Sequence, residues 1–122
     1  MERMMYINKT RRSYYKETAN DENIKTIVDG EIKSHGVFAN LNNIDVENVY
    51  DMSDLFYGKD FNGNISGWDV SNVKNMCRMF YGSTFNGDIS HWNVCNVKYH
   101  AEFCDNSPLA NRPDKQPKFP KR

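Results

Sequence analysis

The chain repeats itself with a period of 24 residues. Residues 45–68 read DVENVYDMSDLFYGKDFNGNISGW, and residues 69–92 read DVSNVKNMCRMFYGSTFNGDISHW. Half a unit precedes them and a degenerate unit follows them. The positions that coincide are mostly apolar, and they include Val46, Val70 and Val94, then Val49, Val73 and Val97, then Phe56 and Phe80, and finally Trp68 and Trp92.

A fixed period of this length is typical of a stacked-repeat solenoid, because one unit cannot bury its apolar side alone. Within a unit, NMCRMFYG carries apolar residues three and four apart, which predicts one or two helical turns. FNGDISHW predicts a short strand and its turn. We therefore predict an α/β fold, a short leucine-rich-repeat-like solenoid of 24-residue repeats over residues 37–109. The rival is an Asn-Gly hairpin, but its flanks do not alternate cleanly.

The ends of such a stack must be covered. Residues 20–36, NDENIKTIVDGEIKSHG, predict an N-terminal capping helix with Ile24, Ile27, Val28 and Ile32 on one face. Asn20 or Asp21 is the expected N-terminal cap, and His35-Gly36 is the expected stop. Residues 110–122 hold three prolines and five basic residues, so we expect an extended tail laid over the last unit.

Charge is distributed unevenly, although the net charge is zero. Residues 1–17, within a basic N-terminal segment at 1–19, carry five Lys and Arg against two Glu, and residues 110–122 carry five against one Asp. The body between them carries six against thirteen. No apolar run is long enough for a membrane span or a secretory signal. If the chain is complete, we expect it in the cytoplasm.

The repeat DVSNVKNMCRMFYGSTFNGDISHWNV resembles that of the BspA-like family, known from mycoplasma lipoproteins and bacterial surface proteins. GVFANLNNIDVENVYDMSDLF is similar to the usual N-terminal segment of this family, and DNSPLANRPDKQPKF to its usual end. The resemblance covers about residues 20–120. It implies a leucine-rich-repeat-like fold that binds proteins, with no catalytic residues and no cofactor. Adhesion, the usual role, goes with export signals or anchors that are not seen here.

Enzymatic chemistry is not expected, because the three histidines are scattered and no phosphate-binding loop or carboxylate pair is visible. Cys95, His100 and Cys104 have ligand-like spacing, with Cys77 as a fourth candidate for zinc. The alternative is that these thiols are free, with Cys104 in a core position. The Asn and Asp residues of FNGNIS and FNGDIS suggest either calcium ligands or Asx turns, and the turns fit better.

The aromatic pairs of the repeat need separate interpretations. Trp68 and Trp92 are expected to form an internal stacking ladder. Tyr57 and Tyr81 fit either core packing, slightly favoured, or a half-exposed ladder that would serve as a binding hot spot.

The leading functional hypothesis is a non-enzymatic module that binds a protein partner through its repeat face. Its candidate contact residues lie between the core positions of each unit, with the two tyrosines beside them. A second hypothesis is a small cytoplasmic inhibitor, phage-encoded, of a host defence or nuclease complex. A third is self-association through Phe103 and Leu109 of the last unit. Nucleic acid is an unlikely partner because the acidic body repels phosphate. The candidate contacts are Asn62, Asn64, Ser66, Asn86, Asp88, Ser90, His91, Tyr57 and Tyr81.

Overall fold

The protein is described by a computed structural model that covers residues 17–121. Most of the predicted basic segment at 1–19 therefore lies outside the described residues. The named elements are β1 (Glu17–Thr18), α1 (Ile24–His35) and β2 (Ile44–Asp45), followed by two short 3-10 helices at Pro108–Asn111 and Pro113–Lys115. β1 pairs with β2 in parallel, with Glu17 opposite Ile44.

From Asn40 onwards the backbone winds in successive turns, and residues 24 positions apart lie next to each other. Parallel bridges join Asn40 to Asn64, Asp51 to Asn75, and Asn75 to Tyr99. We refer to residues 46–69, 70–93 and 94–117 as coils 1, 2 and 3. The strand expected in FNGNISGW is reduced to the single bridge of Asn64, and FNGDISHW has no bridge. The other two bridges lie in the half of the unit expected to form helical turns. Equivalent residues of successive coils lie side by side.

The prediction of helical turns in each unit is wrong. Alternate backbone amides there donate to the next coil and to their own turn. The N–H groups of Phe56 and Gly58 donate along the stack to the carbonyls of Met79 and Tyr81, at 2.8 Å each. The N–H of Tyr57 donates back to Asp54 O at 3.2 Å, as in a β-turn. An α-helix would direct every amide to its own turn, so none would remain for the next coil.

The corners of the coils are fixed by Asx turns. In each of them an Asn or Asp oxygen accepts the N–H of the residue two positions later, at 2.9–3.1 Å. The Asx-turn interpretation of Asn64 and Asp88 is therefore confirmed. The eight residues are Asn40, Asn64 and Asp88, then Asp45, Asp69 and Asn93, then Asp51 and Asn75.

The core consists of columns of equivalent side chains, several of them identical. Phe56 stacks on Phe80 with ring centroids 5.4 Å apart, and Phe61 stacks on Phe85 at 6.0 Å. The predicted internal Trp ladder is confirmed: both indoles are buried. The leucine-rich-repeat-like solenoid as a fold class stays a prediction.

Helix α1 covers the start of the stack. Ile24 and Val28 are buried, while Ile27 and Ile32 pack against the core from its edge. The predicted stop is confirmed, because Gly36 has a φ of 87° and its N–H donates to Ile32 O at 2.7 Å.

The predicted cap at Asn20 is confirmed by its hydrogen bonds, one turn before α1 begins at Ile24. Asn20 Oδ1 accepts the N–H groups of Glu22 and Asn23, and Asn20 O accepts the N–H of Ile24 at 3.0 Å. Asn23 Oδ1 in return accepts the N–H of Asn20 at 2.8 Å, as in a capping box. Asp21 Oδ1 reaches coil 1 and accepts the N–H of Tyr50 at 2.7 Å. Its side chain was needed to close the first layer of the stack, which local spacing did not reveal.

The C-terminal segment completes coil 3 and then covers it, and at Pro113–Lys115 it forms a 3-10 helix where an extended chain was expected. Lys115 O accepts the N–H of Ile89 at 2.9 Å, and Gln116 Nε2 donates to Leu109 O at 2.7 Å. Phe119 packs edge-on against Phe103, with centroids 5.0 Å apart. Phe103 and Leu109, through which self-association was expected, are therefore buried, so they do not form an open end.

Candidate protein-binding surface

The polar residues predicted to contact a partner lie together on neighbouring coils, but most of their acceptor atoms are already used. Asn62 Oδ1 accepts the N–H of Asn86 in the next coil at 2.9 Å. Asn64 Oδ1 accepts both the N–H and the hydroxyl of Ser66. His91 Nε2 lies 2.7 Å from Ser66 O, which joins coil 2 to coil 1. These side chains stabilise the coils and their stacking.

The carboxylate of Asp88 is an example of a predicted contact group that already accepts hydrogen bonds within its own turn. Its Oδ1 accepts the hydroxyl of Ser90 at 2.7 Å and the N–H of Ser90 at 3.0 Å. The two hydrogen bonds lower the pKa of Asp88, because they favour the charged form. Ser71 lowers the pKa of Asp69 in the same way. A partner that used these carboxylates would compete with the turns.

The two tyrosines form a different kind of surface. Their rings stack with centroids 5.2 Å apart and planes 8° apart. Tyr57 is 49% exposed, so the slightly favoured core packing is wrong for it. Tyr81 is half-buried, and its hydroxyl accepts a hydrogen bond from Asn106 Nδ2 at 2.9 Å. The structure thus presents a fixed aromatic stack to solvent.

A charged column that was not anticipated from the sequence lies beside the tyrosines. Arg78 Nε donates to Asp54 Oδ1 at 3.0 Å, and Arg78 Nη1 lies 4.0 Å from Glu102 Oε1. The hydrogen bond to Asp54 raises the pKa of Arg78 further. The signal was the alternation of charge, acid, base, acid, at 24-residue intervals. Asp54, Tyr57 and Arg78 line a shallow groove.

Glycines leave the edge of this surface open. Gly58 and Gly82 follow the tyrosines directly, and both have a left-handed backbone, with φ of 64° and 67°. These two positions carry no side chain of their own that could cover the aromatic rings. We refer to Asp54, Tyr57, Arg78, Tyr81 and Asn106 as the tyrosine face.

The candidate zinc ligands do not form a cluster. Cys104 is buried, Cys95 is exposed, and the ring of His100 stacks on Phe119 at 4.1 Å. Burial raises the pKa of Cys104 to about 11, which disfavours the thiolate that zinc requires. Among residues 17–121, no group of three or more His, Cys, Asp or Glu side chains could hold a metal ion.

Three further aromatic side chains are exposed and were not anticipated. They are Phe38 at 74%, Tyr50 at 47% and Tyr99 at 60%. Each stands at a position where another repeat has a polar residue. That substitution was the sequence signal that these side chains are exposed. In the described part of the chain, no helix has the length and apolar character to cross a membrane.

Searches of curated proteins and of solved structures found no match. One family model matches residues 22–117, which is most of the chain, including α1 and all three coils. The chain belongs to the family described as Mycoplasma protein of unknown function, DUF285.

Proposed function

We propose that the chain is a protein-binding module built on a short leucine-rich-repeat-like solenoid of the BspA-like type. The fold proposal is supported by the parallel bridges at 24-residue intervals and by the stacking of Phe56 on Phe80 and Trp68 on Trp92. Helix α1 and the segment around Phe119 act as the two caps that a stack requires.

The observation that carries the binding proposal is the exposed stack of Tyr57 on Tyr81. Tyrosine is enriched at binding hot spots because it offers a large amphipathic area with few rotatable bonds. Here the rings already hold each other, and Asn106 fixes the hydroxyl of Tyr81. Little conformational entropy is lost when a partner covers them, which favours affinity.

The surroundings of the tyrosines favour a protein rather than a small molecule. The groove beside them is shallow, and the charged groups at its edge, Asp54 and Arg78, satisfy each other. A polar rim around an aromatic centre is the usual anatomy of a protein interface. The proposal involves no catalytic step and no cofactor.

The experiment compares capture by three forms of the full chain. Tagged wild type, the double variant Tyr57→Ala/Tyr81→Ala and the control Ser90→Ala/His91→Ala are incubated with lysate of the source organism and read by quantitative mass spectrometry. A partner enriched by wild type and control, but not by the tyrosine variant, supports the proposal. Purified partner is then titrated calorimetrically, and we expect a loss of about thirtyfold or more for the tyrosine variant.

Folding must be separated from binding. Circular dichroism and thermal unfolding show whether the tyrosine variant keeps its fold, since Tyr81 is half-buried. A single Tyr57→Phe variant provides a second test, because it retains the stack and removes only the exposed hydroxyl. If the folded tyrosine variant binds as well as wild type while the control loses binding, the interface lies on the Asx-turn side instead.

A further inference from the structure

A second surface, which is positively charged, lies on coils 2 and 3. Lys74 and Lys98 occupy equivalent positions, and the N–H of Lys98 donates to Lys74 O at 2.8 Å. Both side chains are exposed. No carboxylate of residues 17–121 lies within ion-pair distance of either ammonium group.

This pair departs from the pattern of the rest of the stack. In the column of Asp54, Arg78 and Glu102, neighbouring coils carry opposite charges that pair. Like charges at directly opposed positions of neighbouring strands are destabilising. Lys74 and Lys98 therefore repel each other instead of pairing. An anionic ligand that spans the two coils would be attracted by both charges.

A further cation and an exposed aromatic ring lie close to this pair along the chain. Phe119 stacks on His100 with ring centroids 4.1 Å apart, and Lys118, which is exposed, directly precedes Phe119. Tyr99, which is 60% exposed, directly follows Lys98. We refer to Lys74, Lys98, Tyr99 and Lys118 as the basic corner.

We propose that the basic corner binds a short acidic segment of a protein, with carboxylates on the lysines and an apolar side chain against Tyr99. The inference is carried by the two lysines at equivalent positions of neighbouring coils, which make no ion pair with a carboxylate of residues 17–121, and by the exposed ring of Tyr99, the residue after Lys98. The surface is separate from the tyrosine face, so its test does not depend on the function proposed above.

The extent of the basic corner favours a peptide over nucleic acid. In the column of Tyr99, the equivalent residue two coils earlier is Asp51, and Glu102 is exposed three residues after Tyr99. The positive region thus spans only two coils, about 5 Å apart if they follow ordinary strand spacing. A phosphate backbone carries charge along its whole length and would run onto these acids. A segment with two or three carboxylates fits within the boundary.

The experiment measures fluorescence anisotropy of a labelled peptide of glutamates around one central phenylalanine, added to the full chain. Comparison probes are the same peptide with Gln for Glu and a labelled oligothymidylate of equal charge. The double variant Lys74→Glu/Lys98→Glu is compared with Lys25→Glu/Lys33→Glu, which makes the same charge change on exposed positions of α1. Thermal unfolding confirms that both variants are folded.

We expect the Glu peptide to bind more tightly than the Gln peptide, and the corner variant to lose about tenfold or more in affinity. The α1 control should lose clearly less. Tyr99→Ala should weaken binding without changing its salt dependence, because it removes no charge. The proposal is overturned if the Glu and Gln peptides bind alike, if both charge variants lose equally, or if oligothymidylate binds more tightly than the peptide.

Discussion

Trp68 stacks on Trp92, the equivalent residue of the next coil, with ring centroids 6.5 Å apart and planes 10° apart. Both indoles are buried, yet their polar atoms differ. Trp68 Nε1 donates to Leu41 O at 2.8 Å, whereas Trp92 Nε1 has no partner among the described residues. Two side chains with nearly the same packing thus differ by one buried hydrogen bond.

Replacing each Trp by Phe should therefore have unequal effects. Both variants lose buried area, but Trp68→Phe also removes a hydrogen bond, while Trp92→Phe removes an unpaired donor. A buried hydrogen bond contributes about 1 kcal/mol net, so the free energy of unfolding should fall by about 1 kcal/mol more for Trp68→Phe. Urea unfolding of the two variants measures the difference. Equal losses, or a larger loss for Trp92→Phe, would contradict this prediction.

Two glycines should respond to alanine with opposite signs. Gly82 has a φ of 67°, and an added Cβ would meet only Gly58, at 3.8 Å, so its cost is conformational. Gly82→Ala should destabilise by about 1 kcal/mol or more. Gly30 lies inside α1 with nothing within 4 Å of an added Cβ. Gly30→Ala should stabilise by about 1 kcal/mol. Thermal unfolding of both variants tests the pair, and a shift of the same sign in both would refute the conformational argument.

The sequence predicted which residues stack because the 24-residue period runs through residues 37–109 and does not depend on local geometry. Side chains such as Trp68 and Phe56 must be buried, and only stacking buries them all. Local conformation was harder, because the spacing of Met76, Met79 and Phe80 suits an α-helix as well as the observed turns. The turns form instead of a helix because backbone amides donate to the next coil. The sequence of a single unit does not reveal these bonds between coils.

The candidate site was harder to predict for a related reason. Asn64 and Asp88 are polar and exposed, which is equally typical of binding residues and of turn residues. Their side chains accept hydrogen bonds from their own turns, and this choice depends on backbone geometry. Tyr57 was ambiguous because its exposure is decided by how far the turn before Gly58 rotates its side chain out of the core.

The cysteines should differ strongly in reactivity. Burial, and then the charge of Asp105, raise the pKa of Cys104 to about 11, so at pH 8 roughly one molecule in a thousand carries the thiolate there. Cys95 is exposed. Iodoacetamide should therefore modify Cys95 first and leave Cys104 intact until urea unfolds the chain. Peptide mass mapping follows both sites, with Cys95→Ser as the control.

The same shift has a consequence for stability against pH. The unfolded Cys104 thiol releases its proton at a lower pH than the folded one, whose pKa is raised to about 11. Its contribution to the free energy of unfolding is therefore complete below the unfolded pKa and is lost as the pH rises through the folded pKa. Cys104→Ala should reduce this alkaline loss. Equal alkylation of Cys95 and Cys104 in the folded chain would contradict both expectations.

Phe119 of the C-terminal segment should contribute to the stability of the last coil. Phe119 packs against Phe103 and His100, and Gln116 donates to Leu109 O. Phe119→Ala removes a partly buried ring, so the free energy of unfolding should fall by about 2 kcal/mol, less than for a fully buried Phe. Lys121→Ala, two residues later and exposed, is the matched control and should change little.

Deleting residues 112–122 should go further, because it uncovers Phe103 and Leu109, which are buried at 5% and 0% exposure. An apolar end of a repeat stack is complementary to another apolar end, so the truncated chain should associate as its concentration rises. Sedimentation velocity over a range of concentrations compares it with the full chain and with Phe119→Ala. If the truncated chain is folded by circular dichroism and sediments as a monomer at every concentration, the segment is not a protective cap. If it is unfolded, association of the folded Phe119→Ala variant decides the question, because that variant uncovers the same end while keeping residues 112–118.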